Sequence, residues 1–179
     1  MDKFFVSITV AAFLLVTTPA AQAQTAALEA MLAAVNAARA SAGLSPVTLN
    51  ERLAAAACRQ AHDLGSRALH DLAALSHQGS DGSYLAGRLR DAGYGFRTAA
   101  ENLAAGVADP AETVRLWLES DGHRRNMLTA GLREIGIGHV APRLSPGSNR
   151  SGPMAVWVLV LATPTDEPAA AKNPNDCRS

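Results

Sequence analysis

His77, Glu101 and His123 are the residues of this chain whose chemistry says most. His77 stands after a polar turn, Glu101 stands in Glu101-Asn102-Leu103, and His123 lies in the run Trp117-Leu118-Glu119-Ser120-Asp121-Gly122-His123-Arg124-Arg125-Asn126. The three come from separate segments, so only a fold that brings them together makes a site of them. Two neutral imidazoles and one carboxylate match the donor set of an open zinc site, with a position left for a water whose pKa the metal lowers. The same groups can move protons, and they can also knit helices to a sheet through hydrogen bonds alone. His62, His70 and His139 read as ordinary polar residues instead.

The elements that must position these groups follow an exported leader. Lys3 precedes an apolar run from Phe4 to Val16, Thr17-Thr18-Pro19 breaks it, and Ala21-Gln22-Ala23 supplies small residues at the exit. That core is too short for a bilayer span and has the form of a signal peptide over residues 1–23, cleaved after Ala23. A secreted or periplasmic protein is expected, with no transmembrane span in the mature chain and, without a cysteine at the cleavage point, no N-terminal lipid anchor. The formal net charge is zero, and the leader takes away one charge of each sign, Asp2 and Lys3, so the balance gives no case for nucleic acid. Aromatics make up only 4%, which argues against an aromatic carbohydrate platform.

Residues 24–163 read as one domain and 164–179 as a polar C-terminal tail. Leu28, Met31, Leu32, Val35 and Ala38 define an amphipathic helix from about Ala26, ended by Gly43. Asn50 caps a second helix presenting Leu53, Ala57, Ala61 and Leu64, with His62 off that stripe. Ser80 or Asp81 is placed to cap a third through Leu85 and Leu89, and Pro110 opens a fourth with Val114, Trp117 and Leu118 inward. Glu134 to Val140 and Met154 to Ala162 read as strands joined by the turn-rich Pro142 to Gly152, and Thr98 to Gly106 as a further strand or irregular edge. The pattern predicts an α+β fold, a three-layer α-β-α sandwich with a small, mostly antiparallel central sheet flanked by helices. Cys58 and Cys177 either pair, as export permits, or remain a buried thiol and a free one.

An ordered set of motifs carries a family resemblance. Asn36-Ala37-Ala38-Arg39 with Gly43-Leu44, His77-Gln78-Gly79-Ser80-Asp81-Gly82-Ser83, Arg88, Ala92-Gly93-Tyr94, Glu101-Asn102-Leu103-Ala104, Trp117 with Ser120, Gly122-His123-Arg124 and Asn126, then Ile135-Gly136-Ile137-Gly138 resemble the CAP superfamily. This superfamily (cysteine-rich secretory proteins, antigen 5, pathogenesis-related 1) is also called the SCP domain, and the chain looks similar to its bacterial single-domain branch from about Leu28 to Ala162. The resemblance implies an α-β-α sandwich and a cleft of two histidines and two acidic residues, sometimes with a divalent metal. Carried over, the cleft is His77, Glu101, Ser120 and His123, with Ser120 where eukaryotic members have the second acid and Ala100 where the family has glycine. His77 and His123 would be the metal ligands, and Glu101 a third ligand or a support behind them.

The expectation is an exported ligand-binding module that holds a divalent metal such as zinc weakly, as a monomer. Its partner would be a small hydrophobic ligand, as the resemblance implies from eukaryotic members, or a cell-envelope component. The alternatives are a metal-dependent or acid-base hydrolase of peptide or cell-wall material, with Glu101, His77 and His123 catalytic, and a structural domain with no small ligand. A Ser120 nucleophile has no Gly-x-Ser-x-Gly elbow behind it. Trp117 is expected in the core, Asn36 and Arg39 bonding backbone there, Arg124 and Asn126 fixing their own turn, and Tyr94 and Phe96 bordering the cleft segment.

Overall fold

The computed structural model describes residues 18–67, 72–141 and 155–166. In chain order these form α1 (Pro19–Ser41), β1 (Thr48–Leu49), α2 (Glu51–Arg67), a 3-10 turn (Leu72–Ala74), α3 (Leu85–Asp91), β2 (Phe96–Ala105), α4 (Pro110–Glu119), α5 (Asp121–Met127), β3 (Glu134–Val140) and β4 (Val156–Pro164). The expected loop 142–152, His70, Cys177 and most of the leader and tail lie outside the described residues. Cys58 is disulfide-bonded, so the buried-thiol alternative does not hold. Among the described residues no helix is long and apolar enough to cross a membrane.

Helix ends follow local chemistry. Asn50 caps α2 by accepting from the amides of Arg52 (2.9 Å) and Leu53 (3.2 Å), and Asp109 caps α4 by accepting from Glu112 at 2.7 Å. α1 closes on Gly43 at φ 71, where the Gly43 amide reaches Ala40 O and the Leu44 amide reaches Arg39 O, satisfying carbonyls the helix leaves open. Two expected starts are corrected. α1 begins at Pro19, not near Ala26, because Thr18 accepts from the Ala21 amide and Pro19 is pre-set for a first turn. α3 begins at Leu85 behind an N-cap, Tyr84, that makes no side-chain bond. Ser80 is bonded to Asp63 of α2, and Asp81 is engaged in the preceding turn, accepting from the Ser83 amide at 2.8 Å.

The sheet runs β1-β3-β4-β2, with β1 parallel to β3 and the other two pairings antiparallel. β4 is central and buried on both faces, as its continuous apolar run requires. Val156, Val158, Val160 and Ala162 pack with α2 and α3. Trp157, Leu159 and Leu161 pack with α1 and α4. These are the three layers. β4 extends through Pro164, the residue that opens the expected tail, and the Thr165 amide then bonds Gly95 O.

Backbone proximity, more than side-chain size, seats α2 on β3. A Cβ on Gly136 would lie 2.1 Å from the Leu53 carbonyl carbon, and one on Gly138 2.3 Å from Ala57 O. The alternating glycines of β3 therefore let the helix backbone rest on the strand.

Candidate functional site

β2 is an edge strand, and its pleat sends neighbouring side chains to opposite faces of the sheet. Glu101 is in register with Val160, facing the α2 and α3 layer, and Asn102 with Leu159, facing the α1, α4 and α5 layer. The site is built from these two consecutive residues.

On the first face, Glu101 is buried and both its oxygens are engaged. His77 Nδ1 lies 2.7 Å from Oε1, and Arg88 Nη2 donates to Oε2 at 2.7 Å. Arg88 also donates to the carbonyls of His77 (3.2 Å) and Ser83 (3.1 Å), so one buried guanidinium holds both the carboxylate and the loop carrying the imidazole. The His77 side chain remains 56% exposed. With Nδ1–H donating to the carboxylate, neutral His77 carries its lone pair on Nε2, the nitrogen left for a ligand or a proton.

A stripe on α2 grips the same loop. Gln60, Asp63 and Arg67 fall at i, i+3 and i+7, one face of a helix. Gln60 donates to Ser76 O at 2.8 Å, and Arg67 to Ala74 O at 3.3 Å and Gln78 O at 3.0 Å. Asp63 accepts from the Ser80 amide and hydroxyl and pairs with Arg67. Burial alone would raise the Asp63 pKa, but the bonds from Ser80 and Arg67 bring it below its usual value. Alternate carbonyls of the loop are thus fixed from one helix, and His77 projects from a held backbone.

On the second face, buried Asn102 donates to His123 O at 3.0 Å, and Asn126 donates to Asn102 Oδ1 at 2.9 Å and Glu101 O at 3.1 Å. Asn126 therefore ties α5 to β2 and does not merely fix its own turn. Trp117 donates from Nε1 to Leu103 O at 3.0 Å and is buried, with its ring centroid 6.4 Å from that of His123. The His123 pKa is lowered by burial and then by repulsion from His77. Ser120 caps the junction of α4 and α5. Among the described residues no hydrogen bond joins its hydroxyl to either histidine.

As a metal site this donor set is incomplete on its own. Among the described residues no group of three or more His, Cys, Asp and Glu side chains is placed to hold an ion. Glu101 is committed to Arg88 and His77, which leaves the two imidazoles as protein donors, with solvent or a ligand to complete the shell. A separate concavity of about 430 Å³ lies at the end of the sheet between Leu49, Arg52, Tyr94, Glu134 and Asp166. Tyr94, two residues before β2, lines this concavity. Its hydroxyl donates to Glu134, and burial followed by that carboxylate pushes the phenol above its ordinary range.

The remaining placements are mixed. Arg39 and Asn36 bond backbone carbonyls as expected, and His62 is exposed on α2. The partnership of Arg88 with Glu101 and the α2 stripe were not foreseen. The one available signal was three polar residues at helical spacing in an alanine-rich segment.

Residues 32–160 match the CAP family, described as the cysteine-rich secretory protein family. The uncharacterized protein YkwD of Bacillus subtilis is 31% identical over 124 residues, 69% of this chain, which spans 46% of YkwD's length. Among solved structures, an extracellular SCP-domain protein from Bacillus anthracis superposes with a TM-score of 0.63 at 22% identity, covering 82% of this chain and 44% of that one. An outer surface protein of Borrelia burgdorferi superposes with a TM-score of 0.62 at 17% identity, covering 79% of this chain and 96% of its own. At these identities the superpositions establish a shared fold.

Proposed function

The chain belongs to the cysteine-rich secretory protein (CAP) family, and from that premise we propose an exported module whose cleft at His77, Glu101 and His123 binds a small ligand together with a weakly held divalent ion. One observation carries the reading: a largely exposed imidazole is fastened from behind by a buried carboxylate–arginine pair. Burying two charges is costly, and a purely structural contact could be made more cheaply by apolar side chains. What the pair supplies here is orientation, with one tautomer of His77 turned to present Nε2.

His77 and His123 would hold the ion, and Glu101 would act through His77. A site with two protein nitrogens is weaker than closed sites with three or four ligands, which leaves positions for oxygen atoms of a lipid or another cell-envelope component. When bound, the ion would act as a Lewis acid on such an oxygen. Export is supported by the leader pattern and by relatives described as extracellular and outer-surface proteins.

The His77–Glu101 hydrogen bond also favours a second reading, acid-base hydrolysis with His77 as the base. Glu101→Gln separates the two. A hydrolase of peptide or cell-wall material loses turnover by orders of magnitude, whereas a binding module keeps its ligand affinity within a modest factor. For the ion, calorimetric zinc titration should give one site that weakens as pH falls through the histidine range. Identical titrations of wild type and the His77→Ala, His123→Ala double variant would end the metal reading.

A further inference from the structure

Gln24 ties α1 to β3. From Thr18 to Ala26 every other residue is exposed, whereas Gln24 is half-buried. Its Nε2 donates to His139 O at 3.1 Å, and its Oε1 lies 3.0 Å from His139 Nδ1. The His139 ring stacks on Trp157 with centroids 3.9 Å apart, and burial lowers its pKa. A neutral imidazole there donates its Nδ1–H to the amide oxygen. One glutamine is thus bonded to both the backbone and the ring of a single residue near the end of β3.

The expected cleavage after Ala23 makes this residue the first of the exported chain. It removes the N-cap Thr18 and the pre-set Pro19, and it leaves a cationic amine at the positive end of the α1 dipole. Both changes favour fraying of the first turn, and the first side chain able to oppose that is Gln24 itself.

An N-terminal glutamine is also reactive towards itself. Its α-amine can attack its side-chain Cδ, forming the N–Cδ bond of a five-membered lactam while the Cδ–Nε2 bond breaks and Nε2 leaves as ammonia. No oxidant or co-reactant enters. The attack needs the amide folded back onto its own amine, whereas here both amide heteroatoms are bonded to His139 and must first be released.

We infer that Gln24 is the docked amino terminus of the exported protein, held by His139 and thereby protected from lactam formation. The inference rests on the export reading and is independent of what the cleft binds. Full-length chain secreted by a bacterial host, followed by mass spectrometry of the intact product and its N-terminal peptide, reads both the first residue and the loss of ammonia. The expected product begins at Gln24 and forms lactam roughly tenfold more slowly in the native state than in urea, the net effect of two hydrogen bonds. His139→Phe, which keeps the stack on Trp157 and removes the donor, should speed the reaction. Native wild type reacting as fast as in urea overturns the docking while leaving export intact, and that comparison needs no variant. A first residue other than Gln24 overturns both the docking and the cleavage point, and the same spectrum shows it directly.

Discussion

Arg88 and Glu101 form an ion pair at 2.7 Å with 1% and 3% of their side chains exposed, and the second carboxylate oxygen is bonded to His77. Arg88→Met should therefore lower stability by about 3–5 kcal/mol, because it leaves a buried carboxylate without its cation. Adding Glu101→Leu should restore much of that loss in urea unfolding. It should not restore the fixed His77 tautomer, which imidazole nitrogen NMR would report. A double variant with wild-type His77 signals would show that the pair serves stability alone.

The α2 stripe predicts a local effect. Gln60→Leu or Asp63→Asn removes a grip on the His77 loop while leaving most of the core packing, at a global cost of about 1–3 kcal/mol. Amide exchange over residues 76–80 should then accelerate by much more than exchange in β4. Uniform acceleration across the chain would mean that the stripe is ordinary scaffolding.

Two glycines should respond in opposite directions to alanine. At Gly136 the new Cβ would meet the Leu53 backbone at 2.1 Å, so α2 must move and the loss should exceed about 4 kcal/mol. At Gly122, in α5, the new Cβ meets nothing within 4 Å. The gain in helix propensity should stabilise the protein by about 0.5–1 kcal/mol. Thermal unfolding of both variants gives the comparison.

Stability should decline in mild acid. Burial lowers the pKa of His139, and burial with the nearby His77 lowers that of His123. The unfolded chain then binds more protons as pH drops below about 6.5, the ordinary histidine value. The contribution is fully present above that pH and is lost as pH falls towards the folded values. Urea midpoints at pH about 7.5 and 5.5 should differ in this direction, and His139→Phe should flatten the slope. A midpoint that rises in acid would reverse the sign.

Much of this was legible where one residue type answers one local need. Asn50 and Pro110 mark their helix starts, Gly43 its helix end, and the alternation from Glu134 to Val140 gives β3 at its observed limits. His77 and Glu101 could be picked out by type, and they do meet. What sequence could not supply was the far partner. Arg88 gains its meaning from a carboxylate on another element, and Gln60, Asp63 and Arg67 gain theirs from carbonyls in a loop, which have no signature at all. Tyr94 lies two residues before β2 yet turns to Glu134 on β3, a choice set by tertiary packing. α1 began early because its cap, Thr18-Pro19, sits where composition points to the leader.

The adjacency of Glu101 and Asn102 sets a rule for how this candidate site can change over time. One set of partners hangs from the first residue and the other from the second, on opposite faces of the sheet, so their relation is inherited from a single peptide unit and the pleat around it. Surface loops can lengthen or shrink without altering that relation. Gaining or losing one residue within β2 would turn Glu101 towards α5 and Asn102 towards Arg88, exchanging their partners in a single event. For this family member the strictest count is therefore the number of residues along β2, a constraint on insertions and deletions more than on substitutions.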